Sequence, residues 1–237
     1  MHSASDDFHM TNGQTKEQAP NASFSDDSAH LSDDAQPLDE SAVEAMLEQS
    51  GALLDGHFVL SSGRHSARYI EKFRLLEQPR ATSRLCGELA RRFRDDDIEC
   101  VIGPVTGGII LAFEVARQLG CRAMYAERDA SGVGFELRRG FTLRAGERVL
   151  VVEDIVTTGG SALKVVQTVR ARGGEVMGVG LLCDRSGGAT DFGVPRVEAL
   201  LHLNIESYAP DEVPSALIEK YGPAVKPGTT PDTLLSP

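Results

Sequence analysis

Apolar residues in the middle of the chain follow two different spacings. Residues 149–152 form a continuous apolar run, which is typical of a strand buried on both faces of a sheet. Residues 82–93 instead place three apolar side chains four positions apart, and this spacing predicts a helix with one buried face. The two spacings alternate over residues 99–184. This alternation predicts right-handed βαβ units and an α/β fold with a mostly parallel sheet flanked by helices.

Turn and capping residues give approximate bounds for the predicted elements. The first helix, over residues 38–53, has Asp39 or Ser41 as its cap and Gly51 at its end. Residues 128–147 are predicted to be irregular. The other predicted elements are strands at 57–60, 68–73, 99–103, 122–127, 148–154 and 176–184, and helices at 82–93, 108–120 and 161–174.

The two ends of the chain differ in composition from the middle. Residues 1–37 contain seven acids and one lysine among mostly small polar residues. Such a segment buries too little apolar surface to offset its chain entropy, so we predict a disordered acidic tail, with an interaction tail as the alternative. Residues 226–237 also have the composition of a tail. One domain is therefore expected at residues 38–225.

Charge and cysteine usage narrow the class of protein. A net charge of −11 and a pI near 5.0 disfavour nonspecific binding to nucleic acid or to anionic membranes. The four cysteines show no C-x-x-C pairing and no zinc-like spacing, as expected in a reducing compartment. The sequence shows neither a leader pattern nor a long apolar stretch, so we expect a cytoplasmic protein with no membrane partner.

Residues 153–161, "EDIVTTGGS", carry the clearest chemistry. Glu153 and Asp154 end an apolar strand, and hydroxyls and glycines follow before the next helix. Ligands of parallel sheets bind at such turns, and a helix N-terminus favours a phosphate. Because carboxylates accept hydrogen bonds from neighbouring sugar hydroxyls, this order predicts a ribose 5-phosphate site rather than a Walker or G-x-G-x-x-G loop. A plain strand end followed by a turn is the alternative.

A second glycine-rich turn, "GPVTGGI" at residues 103–109, also joins a predicted strand to a predicted helix. Its glycines could serve close helix–sheet packing. The same turn could instead form a second anion site beside the first. The sequence alone leaves both interpretations open.

Taken together, these motifs resemble a known family. Residues 149–162 are similar to the phosphoribosyl pyrophosphate (PRPP) signature of type I phosphoribosyltransferases. Further stretches within residues 55–190, among them "GHFVLSSGRHSARYIEK", "LRRGFTLRAGERVLVVED" and "CDRSGG", resemble the orotate phosphoribosyltransferase family. The resemblance implies a type I phosphoribosyltransferase fold with a small hood formed mainly by residues 38–75. It also implies a homodimer with shared active sites.

The activity implied by the resemblance is transfer of ribose 5-phosphate from PRPP to orotate. The products would be orotidine 5′-monophosphate and pyrophosphate, a step of pyrimidine (UMP) biosynthesis. Magnesium would be the cofactor, held mainly by PRPP and without direct protein ligands. The substrates PRPP and orotate would be the small-molecule partners.

The resemblance further implies roles for individual residues. Glu153 and Asp154 would be catalytic. The residues binding PRPP would be Glu153, Asp154, Ile155, Val156, Thr157, Thr158, Gly159, Gly160, Ser161, Arg128, Thr106 and Gly107. The residues contacting orotate would be Thr157, Arg185, Tyr69 and Ile70. Arg185 also has a physical argument, because a guanidinium binds a carboxylate through two parallel hydrogen bonds.

Several cations typical of the better-known bacterial members are missing from this chain. Ser61, Gly107 and Asp129 stand where those members have lysine, and residues 129–137 contain no basic residue. These departures indicate a subtype of the family. Five basic residues could supply replacement charge: Lys72, Arg64, Arg68, Arg138 and Arg139.

Two other functions remain open from the sequence. One is a phosphoribosyltransferase for a purine base, which the "CDRSGG" and "GHFVLSSGRHS" stretches disfavour. The other is a non-catalytic PRPP-sensing regulator, and the acidic net charge and the lack of a helix-turn-helix pattern disfavour one that binds DNA. No Ser–His–Asp or Cys–His set is evident, so catalysis would depend on positioning and electrostatics.

Overall fold

A computed structural model describes residues 36–60 and 62–227. Most of the two predicted tails and Ser61 lie outside the described residues. The strands are β1 (Leu53–Val59), β2 (His65–Ile70), β3 (Cys100–Pro104), β4 (Arg122–Arg128), β5 (Phe135–Glu136), β6 (Arg148–Val156), β7 (Glu175–Asp184), β8 (Val197–His202) and β9 (Ser207–Tyr208). The α-helices are α1 (Glu40–Gln49), α2 (Lys72–Leu76), α3 (Pro79–Arg92), α4 (Gly107–Leu119), α5 (Gly160–Ala171) and α6 (Ser215–Tyr221), and a short 3-10 helix spans Arg94–Asp96.

The main sheet has six strands in the order β5-β4-β3-β6-β7-β8. All neighbours pair in parallel except β4 and β5, which form an antiparallel hairpin. Strand β6 lies in the middle of this sheet, so its carboxyl end is flanked by strands on both sides. The predicted mostly parallel α/β fold is confirmed.

Strand β6 is buried on both faces, which explains its continuous apolar run. Leu150 and Val152 belong to the hydrophobic cluster that includes residues of α1, α3 and α4. Val149 and Val151 belong to the cluster that includes residues of α5, on the opposite face. The acids that follow Val152 on this central strand, Glu153 and Asp154, are therefore buried as well.

A smaller antiparallel sheet with the order β1-β2-β9 forms the hood. Val59 N–H donates to the carbonyl of Val225 at 2.9 Å, and Val225 N–H donates to the carbonyl of His57 at 2.8 Å. The hood therefore combines the expected N-terminal residues with a strand and a loop from the C-terminal part. In the described part of the chain, no helix is both long and apolar enough to cross a membrane.

Most predicted elements are present, with three corrections. The strand predicted at 68–73 is wrong after Ile70, because Lys72 begins helix α2. The stretch predicted to be irregular at 128–147 contains strand β5, whose two residues pair with β4. Strands β8 and β9 and helix α6 were not predicted. The edge strand β8 has polar or exposed ends, so neither period marks it clearly.

Candidate active site

Residues 157–160, which follow β6 and lead into α5, form a turn that we call the β6–α5 cradle. Gly159 has φ +73°, a left-handed conformation that favours glycine. A Cβ atom at this position would lie 2.1 Å from Thr190 Cγ2, so a side chain does not fit without movement. The exposed Thr157 and Thr158 precede Gly159, and Gly160 begins the helix with backbone N–H groups that lack intrahelical partners. The turn can therefore bind an anion through backbone N–H groups and hydroxyls.

A pocket of about 240 Å³ lies at this turn. Every residue of the 153–161 stretch contributes to its wall. Of the predicted PRPP-binding residues outside that stretch, Arg128 also lines the pocket. The remaining residues of the wall are Lys72, Val105 and Ala162.

Asp154 is almost completely buried, with 2% of its surface exposed. Its Oδ1 atom accepts hydrogen bonds from the backbone N–H of Ile155 at 2.7 Å and from Lys72 Nζ at 3.0 Å. Lys72 Nζ also lies 2.9 Å from Oδ2, an ion-pair contact. Apart from this ion pair, Oδ2 has no hydrogen-bond partner among the described residues. A buried carboxylate with unused acceptor capacity is the kind of group that binds a hydroxyl.

The neighbouring Glu153 is also buried, but its electrostatic environment differs. Burial, and then the charge of Asp154, raise the pKa of Glu153 to about 8. The charge of Lys72 and a weak backbone hydrogen bond from Asp154 oppose this rise. With this pKa, the protonated form of the Glu153 carboxyl is favoured at neutral pH. Two adjacent carboxyl groups in one pocket thus differ in what surrounds them.

Arg185 follows strand β7, beside the end of β6, where its backbone N–H donates to the carbonyl of Val156 at 2.7 Å. Its Nε atom is buried and has no hydrogen-bond partner among the described residues. Burial lowers the pKa of the Arg185 guanidinium. A buried guanidinium N–H without a partner is costly unless an acceptor such as a ligand carboxylate completes it.

Tyr69 lies close to this arginine. Burial raises the pKa of the Tyr69 hydroxyl, and the charges of Lys72 and Arg185 oppose that rise. The Tyr69 ring is supported by Phe58 of strand β1, with ring centroids 5.6 Å apart. Ile70 lines a small apolar cavity that also contacts Asp154. The hood therefore places the two predicted orotate-contacting residues beside the strand that carries the acids.

The second glycine-rich turn combines packing with support of the site. A Cβ at Gly103 would lie 2.2 Å from the carbonyl oxygen of Gly108, so this glycine allows close helix–sheet packing. A Cβ at Gly107 would lie 1.9 Å from Asp154 Oδ2. Thr106 is exposed immediately before helix α4. The packing interpretation is therefore correct for Gly103, and Gly107 leaves space for the buried acid.

The predicted replacement cations differ in their surroundings. Lys72 lines the pocket, whereas the other four side chains contact groups elsewhere. Arg64 donates to Ser207, and Arg68 forms ion pairs with Glu44, Glu48 and Asp55. The remaining two cations, Arg138 and Arg139, pair with Glu127 and Glu136 of the β4–β5 hairpin. Sequence spacing does not separate these five residues, because their surroundings depend on tertiary contacts.

Comparison with known proteins identifies the family. The family model "Phosphoribosyl transferase domain" matches residues 75–191. The chain is 53% identical to orotate phosphoribosyltransferase of Pelotomaculum thermopropionicum, over 79% of this chain and 96% of that protein. It is 50% identical to orotate phosphoribosyltransferase of Desulforamulus reducens, over 76% of this chain and 92% of that protein. The chain belongs to the orotate phosphoribosyltransferase family.

A solved structure supports the same assignment. The orotate phosphoribosyltransferase of Aeropyrum pernix is 30% identical, with a TM-score of 0.58, covering 75% of this chain and 96% of that one. The chain accordingly has the type I phosphoribosyltransferase fold that the motifs imply. Both the β6–α5 cradle and Arg185 lie within the residues that the family model matches. Lys72 lies outside both the matched region and the signature motif at residues 149–162.

Proposed function

We propose that this member of the orotate phosphoribosyltransferase family transfers ribose 5-phosphate from PRPP to orotate. The observation that carries the proposal is a pair of buried polar atoms. Asp154 Oδ2 has no hydrogen-bond partner among the described residues apart from its ion pair with Lys72, and Arg185 Nε has none. One belongs to an acceptor suited to ribose hydroxyls, and the other is a donor suited to the carboxylate of orotate. They lie at the ends of the neighbouring strands β6 and β7, so one ligand pair can engage both groups.

The reaction exchanges one bond at the anomeric carbon for another. The bond between the anomeric carbon and the diphosphate oxygen breaks, and its electron pair stays with the diphosphate. A ring nitrogen of orotate forms the new bond to the anomeric carbon and releases its proton. Positive charge develops on the ribose in such a step, as in glycoside chemistry. Glu153 and Asp154 hold the ribose and stabilise that charge, and the β6–α5 turn fixes the 5-phosphate. The protein therefore contributes orientation and electrostatics rather than a nucleophile.

We further propose magnesium as the cofactor. Among the described residues, no group of three or more His, Cys, Asp and Glu side chains could hold a metal ion. The carboxylates of the pocket wall, Glu153 and Asp154, are assigned to the ribose hydroxyls, so magnesium would be held mainly by the diphosphate oxygens of PRPP, which a hard cation prefers. When bound, magnesium neutralises charge on the departing diphosphate.

The assembly and location are part of the same proposal. Helix α4 exposes 65% of Phe113 and 40% of Ile110 beside a groove of about 340 Å³. Large exposed apolar patches mark interaction surfaces, and this face suits a second copy of the chain in a homodimer. All four cysteines are free thiols, which is consistent with the cytoplasm.

The deciding experiment measures pyrophosphate release from PRPP with magnesium, in the presence of orotate, adenine or guanine. Of the three bases, we expect only orotate to cause release of pyrophosphate. Release with a purine base instead would overturn the proposed substrate in favour of the purine alternative. Binding of PRPP without release in the presence of any base would favour the PRPP-sensing regulator.

A further inference from the structure

Lys72 is the first residue of helix α2, and its side chain reaches the end of strand β6. Its ammonium lies 3.0 Å from Asp154 Oδ1 and 2.9 Å from Oδ2. It also lies 5.6 Å from the centre of the Phe73 ring. Among the described residues, it is with Arg128 one of two basic side chains in the wall of the pocket. The signature motif contains neither of them.

Asp154 and Lys72 form an ion pair with each other. Their side chains differ in exposure, at 3% for Asp154 and 35% for Lys72. The ammonium is therefore partly hydrated and can leave the carboxylate at a modest cost, whereas the carboxylate remains anchored by the Ile155 N–H. Ribose hydroxyls that donate to Asp154 compete with Lys72 for the same acceptor. Once displaced, the ammonium remains within the same pocket and needs a new anion.

We infer that Lys72 is a diphosphate-binding residue of this site, exchanging Asp154 for the diphosphate group of PRPP or for free pyrophosphate. The inference rests on the proposed function, because it assigns the second anion of the same substrate. A compact ammonium on a flexible stem suits this exchange, since it can bind a phosphate oxygen as a point charge. Transfer of the ammonium to the diphosphate also places positive charge beside the leaving group in the transition state.

The position of Gly107 fits this assignment. A Cβ at Gly107 would meet Asp154 Oδ2 at 1.9 Å and Leu76 Cδ1 at 3.2 Å. A long side chain at position 107 is therefore incompatible with Asp154 and α2 as they are placed. Lys72 of α2, rather than a residue at position 107, therefore supplies the ammonium in this pocket.

The test compares two half-ligands by calorimetry with magnesium present: pyrophosphate and ribose 5-phosphate. For Lys72→Gln, we expect pyrophosphate affinity to fall by about tenfold or more and ribose 5-phosphate affinity to stay within about twofold. For Asp154→Asn, we expect the reverse, with ribose 5-phosphate weakened and pyrophosphate retained. Lys220→Gln is the matched control, because Lys220 is an exposed lysine on α6, and it should change neither affinity.

Lys72→Arg separates charge from fold, since it keeps a cation at the site. It should recover most of the pyrophosphate affinity that Lys72→Gln loses. Retention of pyrophosphate affinity in Lys72→Gln, or equal loss of both half-ligands in a folded protein, would overturn the inference. The proposed function fails separately, if the wild-type chain releases no pyrophosphate with orotate. Loss of pyrophosphate affinity in Lys72→Gln would then still support the anion site.

Discussion

Glu153 and Asp154 are adjacent in sequence, yet their carboxyl groups have different surroundings. Asp154 contacts a cation and a backbone N–H, whereas burial and the negative charge of Asp154 raise the pKa of Glu153 to about 8. A ligand with hydroxyl groups and a developing positive charge can interact with both carboxyl groups. A positive charge developing on a bound ribose would favour the ionised form of Glu153 and so lower its pKa.

The first prediction concerns the charge of Asp154. Asp154→Asn keeps the size of the side chain, so we expect turnover to fall by about 10²-fold, in line with the loss of a preorganised electrostatic group. The unfolding free energy should change by roughly 1 kcal/mol or less, because the partly exposed ammonium of Lys72 can be hydrated instead. Steady-state kinetics and chemical denaturation measure the two effects. Unchanged turnover would contradict the role in ribose binding.

The second prediction concerns the pH dependence of stability. Because the pKa of Glu153 is raised to about 8 in the folded chain, the folded state binds more protons than the unfolded state between about pH 4.5 and pH 8. This group therefore favours folding at low pH, and its contribution is lost as pH rises through about 8. Burial is the main cause of this raised pKa, the charge of Asp154 adds to it, and the charge of Lys72 opposes it.

Glu153→Gln removes this titration. We expect the variant and wild type to have similar unfolding free energies near pH 5. The variant should be more stable at pH 9, by an amount on the order of a few kcal/mol. Denaturant unfolding at several pH values measures the difference. A constant difference between the two proteins across this range would show that Glu153 does not titrate with a raised pKa.

The third prediction concerns Arg185. Hydrogen bonds to a charged group contribute roughly 1.5–3 kcal/mol each, so Arg185→Ala should weaken orotate use by at least about tenfold. PRPP affinity without orotate should barely change, because the β6–α5 turn holds the ribose phosphate. Arg185→Lys should lie between the two, since it keeps charge and loses the two-pronged geometry. Equal losses for both substrates in binding assays would indicate a structural arginine instead.

At the residue scale, the sequence identified the 153–161 stretch because its chemistry is local. The order of acids, hydroxyls and glycines sits on one strand and one turn, and the structure brings all nine positions to one pocket. Lys72 was one of five equivalent candidates, because its distance from Asp154 along the chain carries no spatial information. The tertiary contact between Lys72 of α2 and Asp154 of β6 shows which of the five reaches the acids.

At the scale of elements, periodicity located the strands and helices that bury whole faces. Strand β6 and helix α5 have strong patterns because β6 is covered on both sides and α5 on one. The short hairpin strand β5 and the paired residues of β9 have too few residues to show a period. The position of β9 also depends on a partner distant in sequence, since Ser207 lies opposite Ser66.

The fourth prediction tests the turn that begins α5. Gly159→Ala places a side chain at φ +73° and within 2.1 Å of Thr190, so both backbone strain and a steric clash oppose it. Gly146→Ala is the matched control, because Gly146 has the same φ of +73° and open space around its Cβ. We expect Gly159→Ala to weaken ribose 5-phosphate binding by about tenfold or more, while Gly146→Ala changes stability only. Equal effects on binding would remove the turn from the site.

For the whole molecule, the sequence predicts the fold class but not which segments complete the sheet of the hood. The expected N-terminal hood is joined by β9 and by Val225, since a sheet edge is completed by whichever segment lies beside it. No local pattern marks a two-residue strand as the partner of β2. The predicted disordered tail at residues 1–37 stays a prediction.

The last prediction concerns assembly through helix α4. If a second copy covers the exposed Phe113 and Ile110, burial of this apolar face stabilises the dimer, and a charge placed there would be desolvated without a partner. We therefore expect the wild type to be a dimer by light scattering and Phe113→Glu to be a folded monomer. Ile218→Glu is the matched control, because Ile218 is 48% exposed on α6, outside the groove, and this variant should remain dimeric. A wild-type monomer, or a Phe113→Glu variant that stays dimeric, would contradict an interface at this face.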